Sequence, residues 1–164
     1  VSMIARQYHN SYGIQVIHAR PFNHIGPGQS AGFVTQDFAR QLVEIENGNH
    51  EPVMKVGNLS AVRDFTDVRD IVKAYHKLLL KGKIGEIYNV CSGKPVVIRQ
   101  ILDNLVNFIK IPVTIKQDEE KYRPIDIPVY VGSNKKIMTD IKWEPSITLE
   151  QSLLDILNHL RSET

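Results

Sequence analysis

The side chains able to do chemistry are sparse, and three of them stand at junctions between predicted elements. Asn23 follows an apolar strand, Arg63 precedes a capped helix, and Arg123 lies in a proline-marked segment. A guanidinium is a planar fork of donors that matches phosphate oxygens two at a time. Two arginines and an amide from three segments therefore suit a diphosphate. The residues leave a second reading open, in which Arg63 and Arg123 are solvated or paired with Asp64, Asp67, Asp70 or Asp126.

Other familiar chemistries are missing. Gly26-Pro27-Gly28 is the nearest thing to a phosphate loop, but Pro27 lacks the backbone donor that a phosphate cradle uses. His9, His18, His24, His50, His76 and His159 are scattered and match no zinc spacing. Ser30 has no nucleophile elbow around it. Cys91 is the one cysteine, so an internal disulfide is excluded. Its place in the apolar run Ile87–Cys91 predicts a buried thiol rather than a nucleophile.

Composition fits a globular domain: 42% hydrophobic and 23% charged over 164 residues, enough for a core. A net charge of +2 argues against nucleic acid or an anionic membrane as partner. No apolar run spans a bilayer and no leader pattern is present, so a cytoplasmic location is expected. Val1, Ile4, Ala5 and Tyr8 fall at helical spacing with no cap before them, which reads as a chain entered in mid-helix.

The elements that must position these residues alternate in type, which predicts an α/β fold. A helix over 1–12 stops at Gly13 and leads into a strand over Ile14–Ala19, apolar on both faces as in a buried parallel sheet. Arg20–Gly32, rich in proline and glycine, is expected to be loop. A helix follows over Phe33–Asn47, with Phe38, Leu42 and Ile45 as its apolar stripe. Val53–Val56 and Arg63–Thr66 read as short strands. Asp67 caps a helix over Val68–Leu80 that ends at Gly82. A buried strand over Glu86–Cys91, a helix over Ile98–Ile109 and a strand over Val113–Lys116 come next. Residues 117–132 are expected to be loop. Ser133 is predicted to cap a short helix to Thr139, and Thr148 a last helix to about Leu160. Too few strands look doubly buried for an independent doubly wound sheet.

Four segments then carry a resemblance that covers nearly the whole chain. Arg20–Gly28 (RPFNHIGPG) resembles the RPxNxxGPG segment of the extended short-chain dehydrogenase/reductases, which follows the helix with their catalytic YxxxK motif. Val56–Leu59 with Arg63–Asp70 (VGNL, RDFTDVRD) looks like their second signature. Glu86–Gly93 is similar to their YNVxSG turn. Arg123–Asp126, Ser133–Lys136 and Trp143–Pro145 look like their C-terminal motifs, without the usual acidic residue before the serine. Within that family the segments look most like the GDP-6-deoxy-D-mannose reductases, with the GDP-mannose 4,6-dehydratases next. Phe33–Gln41 is similar to the reductases' FVxxDFAxQ.

The resemblance implies the C-terminal part of a Rossmann-like NAD(P)-binding fold plus a small α/β substrate-binding domain. Residues 1–32 would be the tail of the cofactor domain and 33–164 mainly substrate domain, with about 67–92 returning to the cofactor sheet. Asn23, Arg63 and Arg123 would hold the diphosphate of a GDP-linked sugar, Asp126 the ribose and Asp37 the base, with Val34 also in the substrate site. A carboxylate at Asp37 can accept two hydrogen bonds from guanine, although a helix-surface aspartate fits the position equally. Pro21, Phe22 and His24 would lie near the nicotinamide of NADP(H) or NAD(H). The catalytic tyrosine and lysine would precede Val1, so this chain alone is expected to be inactive. No metal is implied. A homodimer is expected for the full-length protein.

Overall fold

The computed structural model describes residues 2–122 and 127–163. In chain order they form α1 (Ser2–Tyr12), β1 (His18–Pro21), β2 (Asn23–Ile25), α2 (Val34–Glu46), β3 (Val53–Val56), β4 (Val62–Arg63) and β5 (Phe65–Asp67). Then come α3 (Val68–Lys81), β6 (Ile87–Val90), β7 (Val96–Val97), α4 (Ile98–Asn107), β8 (Thr114–Gln117), a 3₁₀ turn (Glu119–Lys121), β9 (Val129–Tyr130), α5 (Lys135–Ile141) and α6 (Leu149–Glu163). Contacts divide the chain into two compact units.

The first unit gathers residues 1–24, 64–94 and 131–147. Its sheet is a parallel pair: β1 runs beside β6 in the register His18 with Ile87 through Pro21 with Val90. The core joins Ile71, Ala74 and Leu78 of α3 to Tyr88 and Val90 of β6 and to Ile137, Ile141 and Trp143. Tyr88 is fully buried; its hydroxyl donates to Asp140 (2.9 Å) and accepts the Lys83 N–H (3.1 Å), which is how a buried phenol avoids an unmet polar group.

Three aspartates, spaced three apart, tie this unit together. Asp67 caps α3 by accepting the Arg69 N–H at 2.8 Å. Asp70, three residues further on in the first turn, accepts hydrogen bonds from the amides of Ser146 (2.7 Å) and Ile147 (2.8 Å), the Ser146 hydroxyl (2.9 Å) and the Lys73 ammonium (3.0 Å). Trp143 Nε1 donates to the Asp70 carbonyl at 3.1 Å. Asp64 does the same for two loops described below.

The second unit gathers residues 25–63, 95–130 and 148–164. Helices α2, α4 and α6 pack against one another through Phe38, Leu42, Ile45, Ile101, Leu105, Leu153, Ile156 and Leu160, all buried. Arg161 of α6 grips Glu46 at the end of α2 through Nε (2.8 Å) and Nη2 (2.6 Å). β3 pairs parallel with β8, and β4 lies between antiparallel β7 and parallel β9.

Most expected elements form, with differences that have physical causes. β1 starts four residues later than Ile14 and is half-buried to exposed, because its ladder is fixed by β6 rather than by its own apolar run. The same ladder corrects the expectation of loop from Arg20: β1 reaches Pro21, and the Phe22 N–H bonds Val90 O at 3.0 Å before β2 begins. Two strands have two residues each: β7 precedes the helix expected from Ile98, and β9 falls within the loop expected over 117–132. Each exists through β4 and carries too few residues to show a period. Ser133 is not the cap of α5; Asn134 holds that position without a side-chain cap.

Asp70 makes stability depend on pH. Burial alone would raise its pKa, but the Ile147 amide, the Lys73 ammonium and the Ser146 amide and hydroxyl outweigh this and lower it. A carboxyl lowered by folding stabilises above its unfolded pKa, and that share is lost as pH falls through the folded value. Urea unfolding at a series of pH values should show Asp70→Asn losing about 2 kcal/mol at neutral pH. The variant should also lose the acid-side decline that this carboxylate gives the unsubstituted protein.

Candidate functional site

In the first unit the site residues sit where parallel strands end. The carboxyl ends of β1 and β6 carry Pro21–His24 and Cys91–Gly93 side by side, the end at which open α/β sheets collect ligands. Pro21 and His24 are exposed; Phe22 and Asn23 are half-buried. His24 Nδ1 meets the Phe22 carbonyl at 3.2 Å.

One carboxylate braces this end. Asp64, 0% exposed, accepts the amides of Ser92 (2.8 Å), Gly93 (2.9 Å) and Gly132 (3.2 Å) and the Ser92 hydroxyl (2.7 Å). Asn134 Nδ2 reaches the Ser92 carbonyl at 3.1 Å. Burial, helped by the Asp64 charge and only partly offset by the Gly93 amide, pushes the Cys91 thiol up to about 12. That thiol stays protonated and inert, as its apolar run implied.

In the second unit Val34 and Asp37 occupy the first turn of α2, and both are half-buried. Asp37 Oδ1 accepts the Gly32 N–H at 2.8 Å. Gly32 has φ +92°, a conformation glycine adopts without steric cost, so the carboxylate anchors a loop that only glycine makes easily. Its neighbour Gln36 is 2% exposed, and the Gln36 Oε1 has no hydrogen bond among the described residues.

Arg63 closes β4. Its Nη1 donates to the carbonyls of Val62 (2.8 Å) and Ile127 (2.6 Å), which fixes the guanidinium beside the chain at residue 127. Arg123 and Asp126 lie outside the described residues. The structure thus gathers Pro21, Phe22, Asn23 and His24 in one unit, and Val34, Asp37 and Arg63 in the other.

Three of the aspartates named as alternative partners lie among the described residues and make contacts of their own. Asp64 and Asp70 face backbone amides, and Asp67 holds Arg69 through Nε and Nη2 at 2.8 Å each. No local pattern marks the bracing role of Asp64, because its donors stand 28 and 68 positions away. Among the described residues no cluster of His, Cys, Asp and Glu could hold a metal ion, and no helix is long and apolar enough to cross a membrane.

Similar proteins bear on this arrangement. The chain is 39% identical to a GDP-6-deoxy-D-mannose reductase from Pseudomonas aeruginosa over 92% of its own length and 49% of the relative's. It is 29% identical to a GDP-6-deoxy-D-talose 4-dehydrogenase from Aggregatibacter actinomycetemcomitans, over 93% of this chain and 49% of that one. The solved structure of RMD from Pseudomonas aeruginosa, complexed with NADPH, superposes with a TM-score of 0.93 at 36% identity, covering 99% of this chain and 54% of that one. The chain therefore spans about half the length of these relatives, and its α/β fold with parallel strand pairs is that of the Rossmann-like short-chain dehydrogenase/reductases. The model of the GDP-mannose 4,6 dehydratase family matches residues 1–156, and the chain belongs to that family.

Proposed function

We propose that this chain is the C-terminal, substrate-recognising half of an NAD(P)H-dependent reductase that converts GDP-4-keto-6-deoxy-D-mannose to GDP-D-rhamnose. The observation that carries this is the 39% identity to a GDP-6-deoxy-D-mannose reductase across nearly the whole chain. The second relative, named a 4-dehydrogenase of another GDP-6-deoxy sugar, also favours redox chemistry at that carbon.

In this reading Asn23, Arg63 and Arg123 hold the diphosphate. The anchoring of Arg63 on two carbonyls leaves less side-chain entropy to lose when phosphate binds. Asp126 holds the ribose hydroxyls. Val34 packs on the base and Asp37 reads guanine, its Oδ1 already oriented by Gly32. Pro21, Phe22 and His24 flank the nicotinamide, and the apolar proline and phenyl surface at the strand ends suits a flat, weakly polar ring. Bound NAD(P)H supplies the hydride that the C4 carbonyl accepts. The proton comes from a tyrosine whose pKa a lysine lowers, in the segment that the family resemblance puts before Val1. Residues 1–32 and about 67–92 belong to the cofactor domain and the rest of 33–164 mainly to the substrate domain. The full-length enzyme is a cytoplasmic homodimer.

The family model's own name favours a second reading, a GDP-mannose 4,6-dehydratase, in which NADP is reduced and reoxidised in each turnover. A third is a GDP-sugar-binding module without catalysis. An assay of the full-length enzyme separates them. The reductase consumes NADPH with the 4-keto sugar, and NMR of the product shows GDP-D-rhamnose. A dehydratase instead converts GDP-mannose with no net loss of cofactor. A module binds GDP-mannose in calorimetry and converts neither.

Asp37→Asn should cut the preference for GDP over UDP by roughly ten- to a hundredfold, the worth of one or two hydrogen bonds to a charge. Competitive binding of the two nucleotides measures it, and unchanged discrimination would remove Asp37 as the guanine reader.

A further inference from the structure

Gly132 stands where no side chain fits. It is not among the glycines with positive φ, so its backbone would accept any residue and space alone excludes one. A Cβ there would lie 2.5 Å from Cys91 Sγ, 2.8 Å from Phe22 Cζ and 2.9 Å from Phe22 Cε2. Each is far inside van der Waals contact. The glycine main chain therefore backs directly onto the Phe22 ring and the buried thiol.

Both sides of this contact are fixed. The Gly132 N–H is held by Asp64 at 3.2 Å, and the same carboxylate holds Ser92 and Gly93, which follow Cys91. The Phe22 main chain is held by Val90 O at 3.0 Å. Phe22 is only half-buried, so its ring keeps an open side on which it can yield.

We propose that Gly132, secured by Asp64, is a positioning residue that sets the depth of the Phe22 ring and so the fit of the nicotinamide end of NAD(P)H. This rests on the reading above that Phe22 lies beside the nicotinamide. Any side chain at position 132 drives the ring outward into the space that the cofactor takes. The nucleotide-sugar contacts lie on other residues and keep their geometry.

The test uses the full-length enzyme, with NADPH binding followed by fluorescence, GDP binding by calorimetry, and thermal melting as the control for folding. Gly132→Ala should raise the Kd for NADPH about tenfold and change that for GDP by less than about twofold. Cys91→Ala/Gly132→Ala should recover only part of the loss, because removing Sγ relieves the 2.5 Å approach and leaves the 2.8 Å approach to Phe22 Cζ. A folded Gly132→Ala protein with unchanged NADPH affinity overturns the proposal, as does an equal loss for NADPH and GDP. If Gly132→Ala does not fold, the double variant decides: NADPH affinity weakened toward that of Phe22→Ala with GDP binding intact sustains the proposal, and wild-type NADPH affinity overturns it. Phe22→Ala separates the two ideas. If it leaves the NADPH Kd unchanged, the placement of Phe22 beside the nicotinamide fails and the proposal with it. If it weakens NADPH while Gly132→Ala does not, only the positioning role fails.

Discussion

A negative charge kept out of water holds the first unit together. The Asp64 carboxylate is fully buried, and such a charge is tolerable only when its oxygens are met by donors. Three amides and a hydroxyl meet them, drawn from two loops that the chain visits 28 and 68 residues apart. An asparagine in its place would offer one acceptor oxygen and a pair of donors, and at least one of those amides would be left facing another donor. The same logic recurs at three-residue steps. Asp67 turns toward the helix it starts, and Asp70 toward the amides of Ser146 and Ile147, 76 and 77 positions on. Seven residues of sequence, Asp64–Asp70, therefore draw in the segments at 92–93, 132 and 146–147.

How much of this is visible in the sequence depends on where the partners lie. Helices α2, α3 and α6 announce themselves, since apolar spacing, the caps Asp67 and Thr148, and the stops at Gly48 and Gly82 are local signals. β3 appears where its four residues suggest. β1 does not, because its register belongs to β6, nearly seventy residues later. β7 and β9 are defined by β4 alone. The site divides in the same way. Asn23, Asp37 and Arg63 stand out by type and by family pattern. Gly132 does not, since a glycine's reason for being there is the absence of room, and only the positions of Phe22 and Cys91 reveal that.

The buried thiol illustrates how one constraint reaches into another. Cys91 is unreactive because it is desolvated and stands near Asp64. The charge that orders the loops therefore also keeps the adjacent sulfur in its neutral form. Structural and chemical roles are not separable at this strand end. Arg63, in the second unit, is steadied by main-chain carbonyls of two separate segments.

The second unit also contains a side chain that imitates a backbone. Gln41, on α2, accepts the Lys55 N–H at 2.9 Å and donates to the Lys55 carbonyl at 3.2 Å, while Lys121 Nζ reaches the same carbonyl at 3.0 Å. A carboxamide that takes both groups of one strand residue does what a neighbouring strand would do. β3 is thus closed at this residue on the side away from β8, and an extended segment from another molecule finds its hydrogen-bonding groups already taken. Edge strands are where sheets recruit strangers and begin to aggregate. In this small parallel pair Gln41 and Lys121 together blunt the edge at Lys55 without help from proline or a bulge.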